Sequence, residues 1–439
     1  MAKTGKVVKK IFLILFLIAF LIGMAIIILI TTTGLFETEE KPSIAEKVIL
    51  NESQKDSAMR AAATEETDTT VDVIRVSSPE DLHNGYAIDE EAGKTRRIFT
   101  GRRINVAVIG VDSRLGAGVK HADANHVVSF LIDQGKVEIT AIPRDTPCDA
   151  MQSDSLQNKL TVLYPARGRE AYFKEVARIS GLDNIHYFVE VGFSQARGIL
   201  ELLGFKNSGS ALQILRSRQA LGGDDYQRCY NQAQFLRQML LKHFDKLTGF
   251  FSEVLIRGGL AIVETNMSYQ SVANILDKLK AKGFPQSPDD VVIRIRPPID
   301  IKYKVFDFSD ENIVNDLSRK VDNYYSKNSG TLTEINPSRR ATNLLMGKVK
   351  AAISDSSRYP DRVINNLRTL FNQRAWLQVE DKNLRDTIRE KFGILLYNAY
   401  LKKKDPGKAN EVKNIIESER KLFTVPAFGK PSGDNTQNK

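Results

Sequence analysis

Apolar residues fall into three regimes along the chain. From Ile11 to Ile30 twenty consecutive residues carry no charge. A helix of that length, at about 1.5 Å per residue, spans the roughly 30 Å hydrocarbon core of a bilayer. From Ile104 to Pro297 short apolar runs alternate with helical spacing. The runs predict strands at Ile104–Val111, Val127–Ile132, Val137–Ile142, Ile185–Val191 and Val291–Ile295. Helices are predicted at 168–180, Phe193–Leu203, Ser210–Arg218 and Asp225–Phe244, with Gly204 stopping the second. Asp133-Gln134-Gly135-Lys136 is a hairpin turn, so the sheet is expected to be mixed and the class α/β. From Ser309 onward the spacing is helical only: Ile313, Val314, Leu317 and Val321, then Leu344, Leu345, Val349 and Ile353, then Leu384, Ile388, Leu395 and Leu396.

These regimes divide the chain into a cytoplasmic N-terminus (1–10), a transmembrane signal anchor (11–31), an acidic stalk (32–100), an α/β body (101–300), a helical C-terminal region (309–422) and a polar tail (423–439), expected to be disordered. Within the stalk, Val71–Val76 has the pattern of a short strand, and residues 384–420 read as a helix–turn–helix pair. Four lysines precede the apolar run and Glu37, Glu39 and Glu40 follow it, which orients the N-terminus toward the cytoplasm. The run exceeds the 7–15 residues of a signal-peptide core and lacks a small-residue cleavage pattern, so the anchor is expected to stay.

The net charge of +10 is unevenly spread: +4 over residues 1–31, −7 over 32–100 and +13 over 101–439. A basic body calls for an anionic partner, and placement outside the cytoplasmic membrane removes nucleic acid as that partner. Two cysteines are too few for a disulfide scaffold or a multi-cysteine zinc site, and the five histidines form no helical ligand pair. A metal here would be hard and oxygen-bound. Cys148 and Cys229 lie near Arg144 and Arg228 in sequence; a bridge or two free thiols both remain open.

Asp112 follows a predicted strand and Asp123 precedes the next, so adjacent strands would bring two carboxylates to one edge, where they could share a Mg²⁺ ion. Basic groups recur around them: Arg114, His121, Arg144 beside Asp145, Lys159, Arg216, Arg218 and Arg228, with Gln232 one helical turn beyond. Arginine binds phosphate oxygens bidentately, and several can neutralise a pyrophosphate.

The runs INVAVIGVDSR, HAD, VEITAIPRDT, NKLTVLY, LRSR and DDYQRCYNQAQFLRQ resemble the LytR-CpsA-Psr family of cell-wall glycopolymer transferases from about Ile104 to Pro297. The resemblance implies a three-layer sandwich around a mixed sheet, with an apolar channel for a polyprenyl tail. It implies transfer of a glycopolymer from a polyprenyl-pyrophosphate carrier to an envelope acceptor such as a peptidoglycan hydroxyl. Asp112 and Asp123 would then hold Mg²⁺, or Mn²⁺. Arg144, Asp145 and Arg228 take the catalytic positions, Asp145 either as base or as a partner orienting Arg144. Arg114, His121, Lys159, Arg216, Arg218 and Gln232 would cradle the pyrophosphate. The chain departs from the family at His121 and Asn231, where arginine is common, and at Ala124, which lacks a hydroxyl. Two other functions fit the same residues: hydrolysis of the carrier-linked glycan, and non-catalytic lipid or glycan binding in envelope assembly.

Overall fold

The structure, a computed structural model, describes residues 87–89, 92, 101–112, 115–116, 118–328 and 337–424, all within one compact unit. The expected anchor, most of the stalk with its strand at 71–76, and the tail beyond 424 lie outside these residues. Among the described residues no helix is long and apolar enough to cross a membrane.

Strand β1 (Ala87–Asp89) pairs antiparallel with β8 (Tyr303–Val305), so regular structure begins inside the expected stalk. The central sheet holds β2 (Arg103–Asp112), β3 (His121–Leu131), β4 (Lys136–Ile142), β5 (Tyr187–Gly192), β6 (Glu264–Thr265) and β7 (Val291–Ile295). Its order is β6-β5-β2-β3-β4-β7. The β2–β3, β3–β4 and β5–β6 pairs are antiparallel, while β2–β5 and β4–β7 are parallel. The sheet is mixed, as the hairpin required. Gly135 closes that hairpin at φ +62°, a conformation glycine adopts without steric cost.

Alternation along the strands feeds a core on each face. Ala107, Ile109, Val111 and Val127 pack with Leu160, Leu163, Tyr172 and Val176 of α1 (Leu160–Ser180). Helix α1 starts eight residues earlier than its periodicity suggests, because Gly168, at φ +78°, kinks it and Pro165 interrupts the pattern. On the other face Val137, Ile139, Ala141 and Ile293 pack with Tyr230, Ala233 and Phe244 of α4 (Asp225–Leu247), and with α5 (Ser252–Ile262) and α6 (Tyr269–Ala281). Helix α2 (Phe193–Leu202) and α3 (Ser208–Arg216) bury Leu200, Leu212 and Leu215 against Phe235 of α4. Helix α3 ends before Ser217, whose ψ of 133° is extended, so Arg218 lies past the helix rather than in it.

The C-terminal region is helical: α7 (Glu311–Asn328), α8 (Pro337–Asp355), α9 (Pro360–Asn372), α10 (Lys382–Lys402) and α11 (Pro406–Thr424). Helix α11 runs two residues past the expected end at 422. The bundle α8–α11 centres on Trp376 and shares its core with Ile262 of α5. Buried Arg374 donates to the Ala261 carbonyl at 2.6 and 3.0 Å, and Arg385 pairs with Glu201 of α2 at 2.7 Å. The bundle also reaches the loop after β2, where the Gly116 N–H donates to Gln373 Oε1 at 2.8 Å.

Candidate functional site

The site begins with an irregularity in the β2–β3 ladder. Gly110 faces Ala124 and Val111 faces Ala122, so Asp123 has no partner of its own. A β-bulge of this kind re-aims one side chain without ending the pairing. Asp112 is the last residue of β2 and Asp123 the third of β3. Both lie within strands, not in the flanking loops expected from sequence. Both line a cavity of about 220 Å³ between the sheet and helices α2, α3 and α4.

Its lining is mostly apolar, with a few charged and polar groups. Val108, Val191, Ala196, Ile199, Leu212 and Phe235 supply apolar wall, while Asp112, Asp123, Arg216, Arg228 and Gln232 supply the polar groups. Their helices hold them in place. The Asp224 side chain caps α4 by accepting from the Tyr226 and Gln227 N–H groups, and this fixes the first turn that carries Asp225 and Arg228.

Arg144, in the turn after β4, donates to Asp123 Oδ1 at 2.8 Å, and the Thr161 hydroxyl donates to the same oxygen at 3.2 Å. Burial by itself would lower the Arg144 pKa, but Asp123, Asp145 and Asp225 reverse this and raise it. Lys159 Nζ lies 3.0 Å from Asp145 Oδ1, while Arg144 Nε is 3.6 Å from Asp145 Oδ2. Asp145 is thus held more closely by Lys159 than by Arg144.

Arg228 is almost fully buried; it donates to the Asp123 carbonyl at 3.1 Å and pairs with Asp225 at 2.6 Å. Arg218 meets the same carboxylate at 3.4 Å. Arg216 sits 3.7 Å from Asp112 with its guanidinium over the Phe193 ring at 5.1 Å. The Gln232 amide donates to the Leu215 carbonyl at 2.9 Å, so its buried Oε1 remains, with no hydrogen-bond partner. That leaves the amide oxygen as the group Gln232 offers at the cavity. His121 faces Asp112 across the ladder and is exposed. Arg114 lies outside the described residues.

Asp225 and Thr161 were not singled out in sequence. Asp225 joins α3's exit, α4 and the turn after β4; burial raises its pKa, against the lowering pull of Arg228. The i,i+3 spacing of Asp225 and Arg228 was the available signal. The cysteines are free: Cys148 packs on the α1 side of the sheet and Cys229 in the core under α4, so no bridge joins them. Burial pushes their thiols up to about 11 and about 12, so both are poor nucleophiles.

No group of three or more His, Cys, Asp or Glu side chains assembles as a metal cage among the described residues. Asp112 and Asp123 both line the cavity, and carboxylates of this kind are the one or two protein ligands Mg²⁺ usually takes, with water and substrate phosphate completing its shell.

Residues 54–204 match the model of the LytR_cpsA_psr family. The resemblance read in the sequence is shown over that stretch. It includes Asp112, Asp123, Arg144, Asp145 and Lys159, while Arg216, Arg228 and Gln232 line the cavity from beyond it and Arg218 meets Asp225 beside them. Solved structures similar to the chain include the Lin1025 protein from Listeria innocua (18% identity, 51% of this chain, 99% of that one, TM-score 0.35). Others are TagT bound to LIIa-WTA (18%, 52% and 94%, 0.33) and B. subtilis TagV (17%, 51% and 99%, 0.35). No curated protein matched.

Proposed function

We propose that the protein is a membrane-tethered phosphotransferase that moves a glycopolymer from a polyprenyl-pyrophosphate carrier to an envelope acceptor such as peptidoglycan. One observation carries this reading: Arg144 from the turn after β4 pairs with the Asp123 carboxylate, Arg216 at the end of α3 faces Asp112, and Arg228 at the start of α4 donates to the Asp123 carbonyl, all beside a largely apolar cavity that both aspartates line. The tether is the apolar run at 11–31, which places the body outside the cytoplasm.

In this reading the carrier's tail occupies the apolar part of the cavity and its pyrophosphate meets Arg144, Arg216, Arg218 and Arg228. The acceptor hydroxyl attacks the sugar-side phosphorus, the bond from that phosphorus to the bridging oxygen breaks, and polyprenyl phosphate leaves, taking up the hydroxyl's proton. Catalysis comes from positioning and from guanidinium groups facing the charge that grows on the phosphoryl oxygens. Asp112 and Asp123 would hold a Mg²⁺ or Mn²⁺ ion, which would neutralise phosphoryl charge. Asp145 positions Lys159. His121 supplies a hydrogen bond to phosphate, and Gln232 Oε1 accepts one from a hydroxyl of the donor.

Product analysis tests this. Full-length protein is incubated with polyprenyl-pyrophosphate glycan, Mg²⁺ and peptidoglycan fragments. A phosphodiester-linked product supports transfer. Free glycan phosphate would mean hydrolysis, and unchanged bound lipid would mean a binding protein.

A further inference from the structure

The turn joining α4 to α5 presents the most exposed large apolar side chain among the described residues. Phe250 is 94% exposed and Phe251 52%, and their rings meet edge to face at 5.1 Å. Neither ring is buried in the cores on either side of the turn, although Phe244 and Ile256 nearby are. Two adjacent aromatic rings held in water at a tip oppose the hydrophobic effect unless something covers them.

Cations stand on both helices beside the turn. Lys246 lies in the last turn of α4, and Lys280 of α6 donates to the Thr248 carbonyl at 3.3 Å; Lys242, one helical turn earlier, donates to the Ser309 carbonyl at 3.3 Å. Burial and then the neighbouring Lys242 charge lower the Lys246 pKa. Asp245 and Asp277 are the opposing acids; Glu253 is matched by Arg257 at 2.8 Å. Aromatic rings flanked by lysines suit the interface of an anionic bilayer, where rings enter the acyl boundary and ammonium groups meet phosphates.

Helix α4 links this turn to the phosphate site. Its 23 residues span about 34 Å. Arg228 and Gln232 lie near its start, and Phe235 and Leu236 line the apolar cavity. Beyond Phe235, Met239 and Lys242 line a second cavity of about 450 Å³. Two of that cavity's residues, Phe205 and Phe308, stand against the Phe235 ring at 5.8 and 6.1 Å. Lys246 and then Phe250 complete the line.

We propose that Phe250 and Phe251 form a wedge that enters the outer face of an anionic membrane, with Lys246 and Lys280 on its phosphates. Helix α4 then runs from the lipid surface to the pyrophosphate site, and a carrier rooted in the bilayer meets the cavity end nearest its tail. The wedge rests on the reading that the chain is tethered to a membrane.

Full-length Phe250→Trp protein in vesicles of phosphatidylglycerol and phosphatidylcholine tests the wedge. The one native tryptophan, Trp376, is fully buried in the bundle, so the unsubstituted protein gives the baseline. Emission from the introduced indole should shift to the blue on vesicle addition and be lost when the acyl chains are brominated. Tyr359→Trp, at an exposed site on the bundle, should keep its emission. Phe250→Trp protein that floats with vesicles while the new indole stays unquenched overturns the wedge and leaves the tether standing. Protein that does not float overturns both. An unquenched indole together with crosslinking between the turns of two copies overturns the wedge and assigns the surface to self-association instead.

Discussion

Replacing Ala196 by leucine separates tail recognition from phosphate recognition. Ala196 lies on α2 and lines the cavity with an apolar side chain. Leucine is nearly as good a helix former as alanine, so the helix itself is little disturbed. The three added carbons take space that the tail would otherwise fill. At about 0.8 kcal/mol per buried carbon group the loss is about 2.4 kcal/mol, roughly 50-fold in affinity. Isothermal titration with polyprenyl phosphates of increasing length measures it. Long-chain carriers should weaken by that factor, inorganic pyrophosphate should bind as before, and the unliganded protein should melt no lower than the parent. Unchanged long-chain binding would refute the tail's place in this cavity. An equal loss for pyrophosphate would show that the substitution had damaged the charged groups.

Two other perturbations probe different parts of the same region. Arg144→Ala should lower transfer by about 10²–10³-fold, the usual cost of removing one preorganised donor to a developing oxyanion, and Arg144→Lys should restore part of it; activity equal to the parent's removes Arg144 from the site. His126 is buried beside the cavity near the Cys229 carbonyl, and burial pulls its pKa down to about 4. Because the unfolded histidine takes its proton near 6.5, the stability tied to His126 is complete above that pH. It is lost as the pH falls from 6.5 to 4, by about 3 kcal/mol in all. Urea melts of the parent and His126→Gln at pH 7 and pH 4 should differ in their pH dependence by about that amount, and parallel pH profiles would rule the assignment out.

Continuous apolar runs bounded by turn residues were legible: Val291–Ile295 is strand β7 over those same residues, and β2 and β4 shift by a residue at their ends. Helix α5 was not, because Gly258 and Gly259 argue against a helix on propensity. Gly258 is there for a tertiary reason, since a Cβ on it would stand 2.5 Å from the Leu422 Cβ of α11. The first third of β3, His-Ala-Asp-Ala, reads as loop because its side chains are polar or small, and the partner strand supplies the order. The site residues were legible as types and the bulge that aims Asp123 was not. Nothing local marks an extra residue in a ladder; only the register across two strands shows it.

The ionised groups around the cavity are set against one another in pairs. Arg144 is spent on Asp123, Arg216 faces Asp112, Arg218 and Arg228 share Asp225, and Lys159 holds Asp145. Five cations against four carboxylates leave a small positive remainder, whereas a pyrophosphate diester carries a negative charge on each phosphorus. The arginines can therefore serve phosphate only as the aspartates are satisfied in another way, and Asp112 and Asp123 are the two open to the cavity. Under the proposed function this makes metal and carrier binding mutually favourable: each cation accepted by the aspartates returns guanidinium charge to the phosphates. Asp225 stands apart from that exchange. Half-buried and shared between two arginines, it holds Arg228 at the cavity and Arg218 on the same carboxylate.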